Sequence, residues 1–206
     1  TLEGGSGNDV MEGGTGDDIY VLVPGSDDRV IDVTGRDTFD FSHATSAIKI
    51  DLRRDDGRFQ TVDDALNRIA ILGVIEDVIG SDFDDDIQGN AADNEVWGGL
   101  GEDQVRGGSG PDLLHGGAGA DTLNGESGDD ELFGDADADT LFSSDGEDTL
   151  HGGLGNDRLF GNSGDDLLAG DEGDDVLDGD AGNDLLIFPT APVGVTVELQ
   201  NRTATD

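Results

Sequence analysis

The chain has no cysteine among its 206 residues, so disulfides, thiolate zinc sites and thiol nucleophiles are excluded. Aromatic residues make up only 5%, and Lys49 is the sole lysine. No apolar run approaches the roughly 20 residues of a membrane span. Positive charge is scarce as well: Lys and Arg total 10 against 49 Asp and Glu, a net charge of -39. A chain this acidic repels phosphate instead of releasing counterions from it, which excludes nucleic acid as a partner. What is abundant is acid and glycine, the latter 35 residues. Composition alone leaves two readings, a disordered acidic chain or one that needs cations to fold.

The order of the residues decides between them. From Gly80 to Ile187 the chain divides into twelve consecutive blocks of nine, of which Gly98-Gly99-Leu100-Gly101-Glu102-Asp103-Gln104-Val105-Arg106 is typical. Position eight is aliphatic in all twelve, from Ile87 and Val96 through to Leu177 and Leu186. Position six reads Asp85, Asn94, Asp103, Asp112, Asp121, Asp130, Asp139, Asp148, Asp157, Asp166, Asp175 and Asp184. A disordered tail has no reason to hold such a register. A shorter block opens the chain, with position-six residues Asp9, Asp18, Asp28 and Asp37. The turns before Asp28 and Asp37 lack the double glycine, and those at Gly134–Asp139 and Ser143–Asp148 also depart from it.

This pattern, Gly-Gly-x-Gly-x-Asp-x-aliphatic-x, resembles the hemolysin-type calcium-binding repeat of the RTX family. The resemblance implies an all-β, right-handed parallel β-roll in which six residues form a calcium-binding turn and three form a short strand. Successive copies lie on alternate sides, so 18 residues make one coil. It further implies that the fifteen position-six Asp residues named above, Asn94 excepted, are metal ligands.

The physical chemistry agrees. Glycine permits positive backbone dihedrals that a Cβ makes costly. Calcium takes 6–8 oxygen ligands, mainly carboxylates and carbonyls, and magnesium's strict octahedron suits such turns badly. Residues one coil apart stack at about 4.8 Å, so pairs such as Asp103/Asp121 and Asp139/Asp157 are placed to share ions. Bare carboxylates ~5 Å apart repel by about 0.8 kcal/mol per pair even in water, a sign that calcium reverses. Counting pairs gives roughly ten to twelve ions over both rolls.

Residues 43–79 lose the nonapeptide. Ala47–Leu52 alternates as a strand, 53–58 reads as a turn, 61–70 as a short helix capped by Thr61, and Val74–Ile79 as a first coil. The same layout recurs 147 residues later, where Gly194–Leu199 matches Ala47–Leu52. The expected organisation is the end of a first roll (1–42), a linker (43–79), a main roll (80–187) and the start of a second linker (188–206). It is that of a fragment of a longer multi-roll protein.

Enzyme signatures are absent from the sequence: there is no His-Glu-x-x-His, Gly-x-Ser-x-Gly or phosphate-binding Gly-Lys loop. His115 and His151 occupy the same repeat position two coils apart, ~9.6 Å along the stack, too far to share one metal. The sequence therefore reads as a non-enzymatic, calcium-folded structural module. By resemblance it is secreted unfolded by a type I route, or displayed at the cell surface, and its parent is an adhesin, a toxin or an exoenzyme. Expected partners are calcium ions, adjacent units of the same protein, and an extracellular protein or glycan. One outer face carries Trp97, His115, Phe133 and His151 in a column, a stripe that marks a contact with the chain's own linker or tail, or with a partner.

Overall fold

The computed structural model describes residues 1–22, 27–63 and 67–187, together with the backbone of 196–197. Two parallel sheets face one another across a core that is aliphatic in the main roll and includes Tyr20, Phe39 and Phe41 in the short one. The first has ten strands, running from Leu2–Glu3, Ile19–Val21, Thr38–Asp40 and Asp77–Ile79 through Glu95–Leu100 to Leu185–Ile187. The second has eight, from Lys49–Asp51 and Asp86–Gln88 through Gln104–Ser109 to Thr196–Val197. Consecutive blocks alternate between the sheets, and the pairing joins residues one coil apart, as in Val96↔Leu114, Leu114↔Leu132 and Leu123↔Leu141. The 18-residue coil expected from the repeat is therefore present.

The position-eight residues form the core. Ile87, Val96, Val105, Leu114, Leu123, Leu132, Leu141, Leu150, Leu159, Leu168 and Leu177 are each at most 1% exposed. A strand that buries one residue in three leaves its neighbours outward, which is why positions seven and nine vary freely.

Three expectations need correction. Strands of the main roll are mostly six residues long, not three, as in Glu95–Leu100 and Leu113–Ala118. Positions one to three of the next block continue the ladder, with Gly99↔Gly117 and Leu100↔Ala118 in register. Position two bends the strand with positive φ. A Cβ on Gly117, where φ is +109°, would stand 2.2 Å from the Gly99 carbonyl oxygen. Where glycine is missing, mostly short polar residues adopt the same conformation, including Asp135, Asn162 and Asp171; these types tolerate it best among residues with a Cβ.

The expected helix at 61–70 is the second correction. Among the described residues there is no helix; the strands Asp56–Thr61 and Arg68–Leu72 pair antiparallel, while residues 64–66 lie outside the described set. Asp63, read as part of a capped helix start, instead accepts from the Asn67 backbone N–H (3.0 Å) and its side-chain amide (2.6 Å), holding the hairpin. Ile69, Ala70 and Ile71 are buried where Arg68–Leu72 joins the strand Asp27–Thr34 in a small four-stranded sheet. Local helix propensity is a weak prior that such pairing overrides. The turn read at 53–58 ends early, since the hairpin strand begins at Asp56.

The strand Lys49–Asp51 stacks on Asp86–Gln88, and Thr196–Val197 on Val176–Leu177. The two stretches that match at an offset of 147 thus lie at opposite ends of the second sheet. Asp77–Ile79 pairs with both Thr38–Asp40 and Glu95–Trp97, so the first sheet runs through both blocks of repeats. On its outer face Trp97, His115, Phe133 and His151 stack ring upon ring at centroid distances of 3.8, 4.7 and 5.1 Å. Trp97 remains 43% exposed.

Candidate metal centre

The turns joining the sheets form two columns. One carries Asp85, Asp103, Asp121, Asp139, Asp157 and Asp175; the other carries Asn94, Asp112, Asp130, Asp148, Asp166 and Asp184. Each carboxylate spends one oxygen on the coil before it. Oδ1 of Asp121 accepts the Asp103 backbone N–H at 2.8 Å, Oδ1 of Asp139 accepts that of Asp121 at 2.8 Å, and Oδ1 of Asp157 that of Asp139 at 2.9 Å. The other column repeats this from the Asn94 N–H, through Asp112, Asp130, Asp148 and Asp166, to Asp184. In the short roll Asp28 takes the Asp9 N–H and Asp37 the Asp18 N–H. The residues paired in the sequence are thus brought together, and the ladder of carboxylate to backbone bonds is a use of them that spacing alone did not reveal.

The second oxygen is different. Oδ2 of Asp9, Asp103, Asp112, Asp121, Asp130, Asp139, Asp148, Asp157 and Asp166 is buried with no hydrogen-bond partner. A buried charged acceptor without a partner is costly, so this array requires protons or cations.

In the main roll burial pushes these carboxyls up, backbone N–H bonds draw them back in part, and neighbouring carboxylates push again. Asp121, Asp130, Asp157 and Asp166 rise to about 6, Asp103 and Asp112 to about 7, and Asp139 to about 8. Asp85, Asp148 and Asp175 are raised by burial as well.

Glycine at position one makes room around the orphaned oxygens, except at Asp148, whose block begins with Ser143. A Cβ on Gly98 would stand 2.5 Å from Asp103 Oδ2 and 2.5 Å from the Gly116 carbonyl oxygen. On Gly152 the same point lies 2.4 Å from Asp157 Oδ2 and 2.6 Å from the Gly170 oxygen. Two oxygens of adjacent coils therefore converge on a space without side chain, at separations close to the 2.3–2.6 Å of calcium–oxygen bonds. The donor set is all oxygen, part carboxylate and part carbonyl, which fits a hard cation and not a soft one.

The ends of the columns depart from this arrangement. Asp85 is already satisfied, taking the Ile48 N–H at 2.8 Å and both the N–H and the hydroxyl of Ser81. Asn94 donates its amide to the Glu76 carbonyl oxygen at 2.7 Å and carries no charge. Asp175, buried, and Asp184, half-buried, each accept one backbone N–H.

Two participants were missed in the sequence. Glu76 stands in for the position-six Asp, its Oε2 accepting the Asp37 N–H at 2.8 Å. Extending the phase one block back from Gly80 would have found it. In the short roll Asp32 brings a third carboxylate to Asp18 and Asp37, with ligand oxygens all within 4.8 Å of one another. The Tyr20 hydroxyl donates to Asp32, and burial together with that carboxylate raises the tyrosine. Burial and the Asp32 carboxylate also lift Asp37 to about 6.

A search of curated proteins gave no significant match. The family pattern of the RTX calcium-binding nonapeptide repeat matches the chain in four copies, over residues 1–28, 79–114, 115–150 and 151–186. With more than half of its length matched, folded as a parallel β-roll whose turns converge oxygen ligands, the chain belongs to the RTX calcium-binding nonapeptide repeat family.

Proposed function

We propose that this chain is a structural module of an extracellular or surface protein that stays unfolded at low calcium and folds when external calcium fills its turns. In this reading the chain leaves the cell extended, by a type I route, and the calcium gradient across the envelope supplies direction. The position-six carboxylates hold roughly ten to twelve ions, shared between stacked Asp residues of neighbouring coils. What the ions supply is positive charge and coordination. What the chain supplies is the glycine cradle, the carboxylate ladder and the aliphatic file that stacks only when the turns are neutralised.

The observation that carries this reading is the row of buried, unpartnered Oδ2 atoms repeating at coil spacing. With net charge -39, the folded roll concentrates repulsion that an unfolded chain spreads out. Circular dichroism tests it. The chain in EDTA should give a coil spectrum, calcium should bring strand signal, and magnesium should substitute poorly. Equal strand content with and without calcium refutes calcium-coupled folding, and fewer than about six bound ions at saturation refutes the stacked-site count.

A second role rests on the Trp97–His115–Phe133–His151 stack. The inner rings cover one another, whereas Trp97 ends the stack with a ring on one face only and stays exposed. An adjacent unit, an extracellular protein or a glycan would meet this column at the exposed Trp97.

A further inference from the structure

Eleven of the twelve blocks between Gly80 and Ile187 begin with glycine; the exception is Ser143. In the turns of its own column, a Cβ on Gly107, Gly125 or Gly161 would stand 2.2, 2.2 and 2.5 Å from Oδ2 of Asp112, Asp130 and Asp166. On Gly161 that point is also 2.9 Å from the Gly179 carbonyl oxygen. The carboxylate separations lie near the 2.3–2.6 Å of calcium–oxygen bonds and all four are shorter than an ordinary carbon–oxygen contact, so a carbon placed there takes the volume in which an ion and its ligands would meet.

Ser143 has that carbon. It is fully buried, and its hydroxyl donates to the Gly161 carbonyl oxygen at 2.6 Å. This carbonyl is the counterpart of the one that faces the cradle elsewhere. Asp148 keeps its place in the ladder, accepting the Asp130 N–H at 2.7 Å and passing its own N–H to Asp166 at 2.9 Å. The fold therefore passes through this rung undisturbed while the donor set does not. The carbonyl is taken and the space is filled, so this cradle loses both an oxygen and the volume that the others offer an ion.

We infer that the rung between Asp148 and Asp166 holds no calcium, the Ser143 side chain taking its place. The ion ladder of this column is thereby split, with Asp112 and Asp130 on one side and Asp166 and Asp184 on the other. The facing column, whose blocks all begin with glycine, has no such interruption. This inference rests on the calcium-binding reading above. It assigns the two edges of the roll unequal ion numbers, with the gap set by one residue.

Native mass spectrometry of the calcium-saturated chain tests it with Ser143→Gly and Ser143→Ala. Glycine is the residue every other block uses, so Ser143→Gly should fold and bind one more ion than the wild type. Ser143→Ala, which keeps the carbon and removes the hydroxyl, should bind the same number as the wild type. No gain in Ser143→Gly overturns the inference while leaving calcium binding intact. One ion fewer in Ser143→Ala also overturns it, because the hydroxyl would then be a ligand. A wild-type chain that binds no calcium overturns the inference together with the reading beneath it.

Discussion

Replacing Asp121 by alanine separates the two tasks of a position-six carboxylate. Asp121 is 1% exposed, its Oδ1 takes the Asp103 N–H, and its Oδ2 has no partner. Truncation orphans that buried N–H, a cost of about 1–3 kcal/mol that is independent of calcium. It also removes a charge from the ion sites on either side, shared with Asp103 and with Asp139. An ion at a hundred times its dissociation constant contributes about 2.7 kcal/mol, so losing two sites costs roughly 5 kcal/mol more. The second part has its own signature, since each bound ion adds about 1.4 kcal/mol of stability per tenfold rise in calcium. Urea unfolding at two calcium concentrations a decade apart should show Asp121→Ala gaining about 2.7 kcal/mol less than the wild type. Asp129→Ala, at an exposed carboxylate that accepts the Glu147 N–H, should keep the wild-type slope and cost no more than about 1.5 kcal/mol. An unchanged calcium slope in Asp121→Ala refutes the shared-site reasoning, whatever the loss in stability.

Acid should replace calcium in part. The folded carboxyls at about 6 to 8 lie above their ordinary 3.8, so the folded state binds more protons than the unfolded one between those values. Their contribution to stability is full below about 3.8 and is lost as pH rises through about 6 to 8. The chain in EDTA should gain strand signal near pH 4 and lose it by pH 8, and a spectrum constant over that range refutes the argument. In the core, Leu132→Ala opens a gap in a fully buried file between Leu114 and Leu150. It should cost about 2–5 kcal/mol of calcium-loaded stability. Leu185→Ala, 57% exposed, should cost no more than about 0.5 kcal/mol; equal losses would show that the file is not the core.

The amino-acid order by itself determined the coil length, the alternation between two sheets, the aliphatic file from Ile87 to Leu177 and the stacking of the position-six Asp residues. It could do so because each coil contacts only its neighbours. A fixed period in sequence then becomes a fixed step in space, and every copy repeats the same local evidence. Tertiary structure decided whatever depends on which edge a segment meets. Residues 61–70 carry helix-like local signals, yet the edge offered by Asp27–Thr34 draws Arg68–Leu72 into a sheet. Glu76 works as a position-six acid only because Asp37 lies one coil before it with an N–H to satisfy. Ser143 reads as a small lapse from glycine in the repeat. Its bond to the Gly161 carbonyl oxygen appears only once the coils are stacked, because that oxygen lies one full coil along the chain.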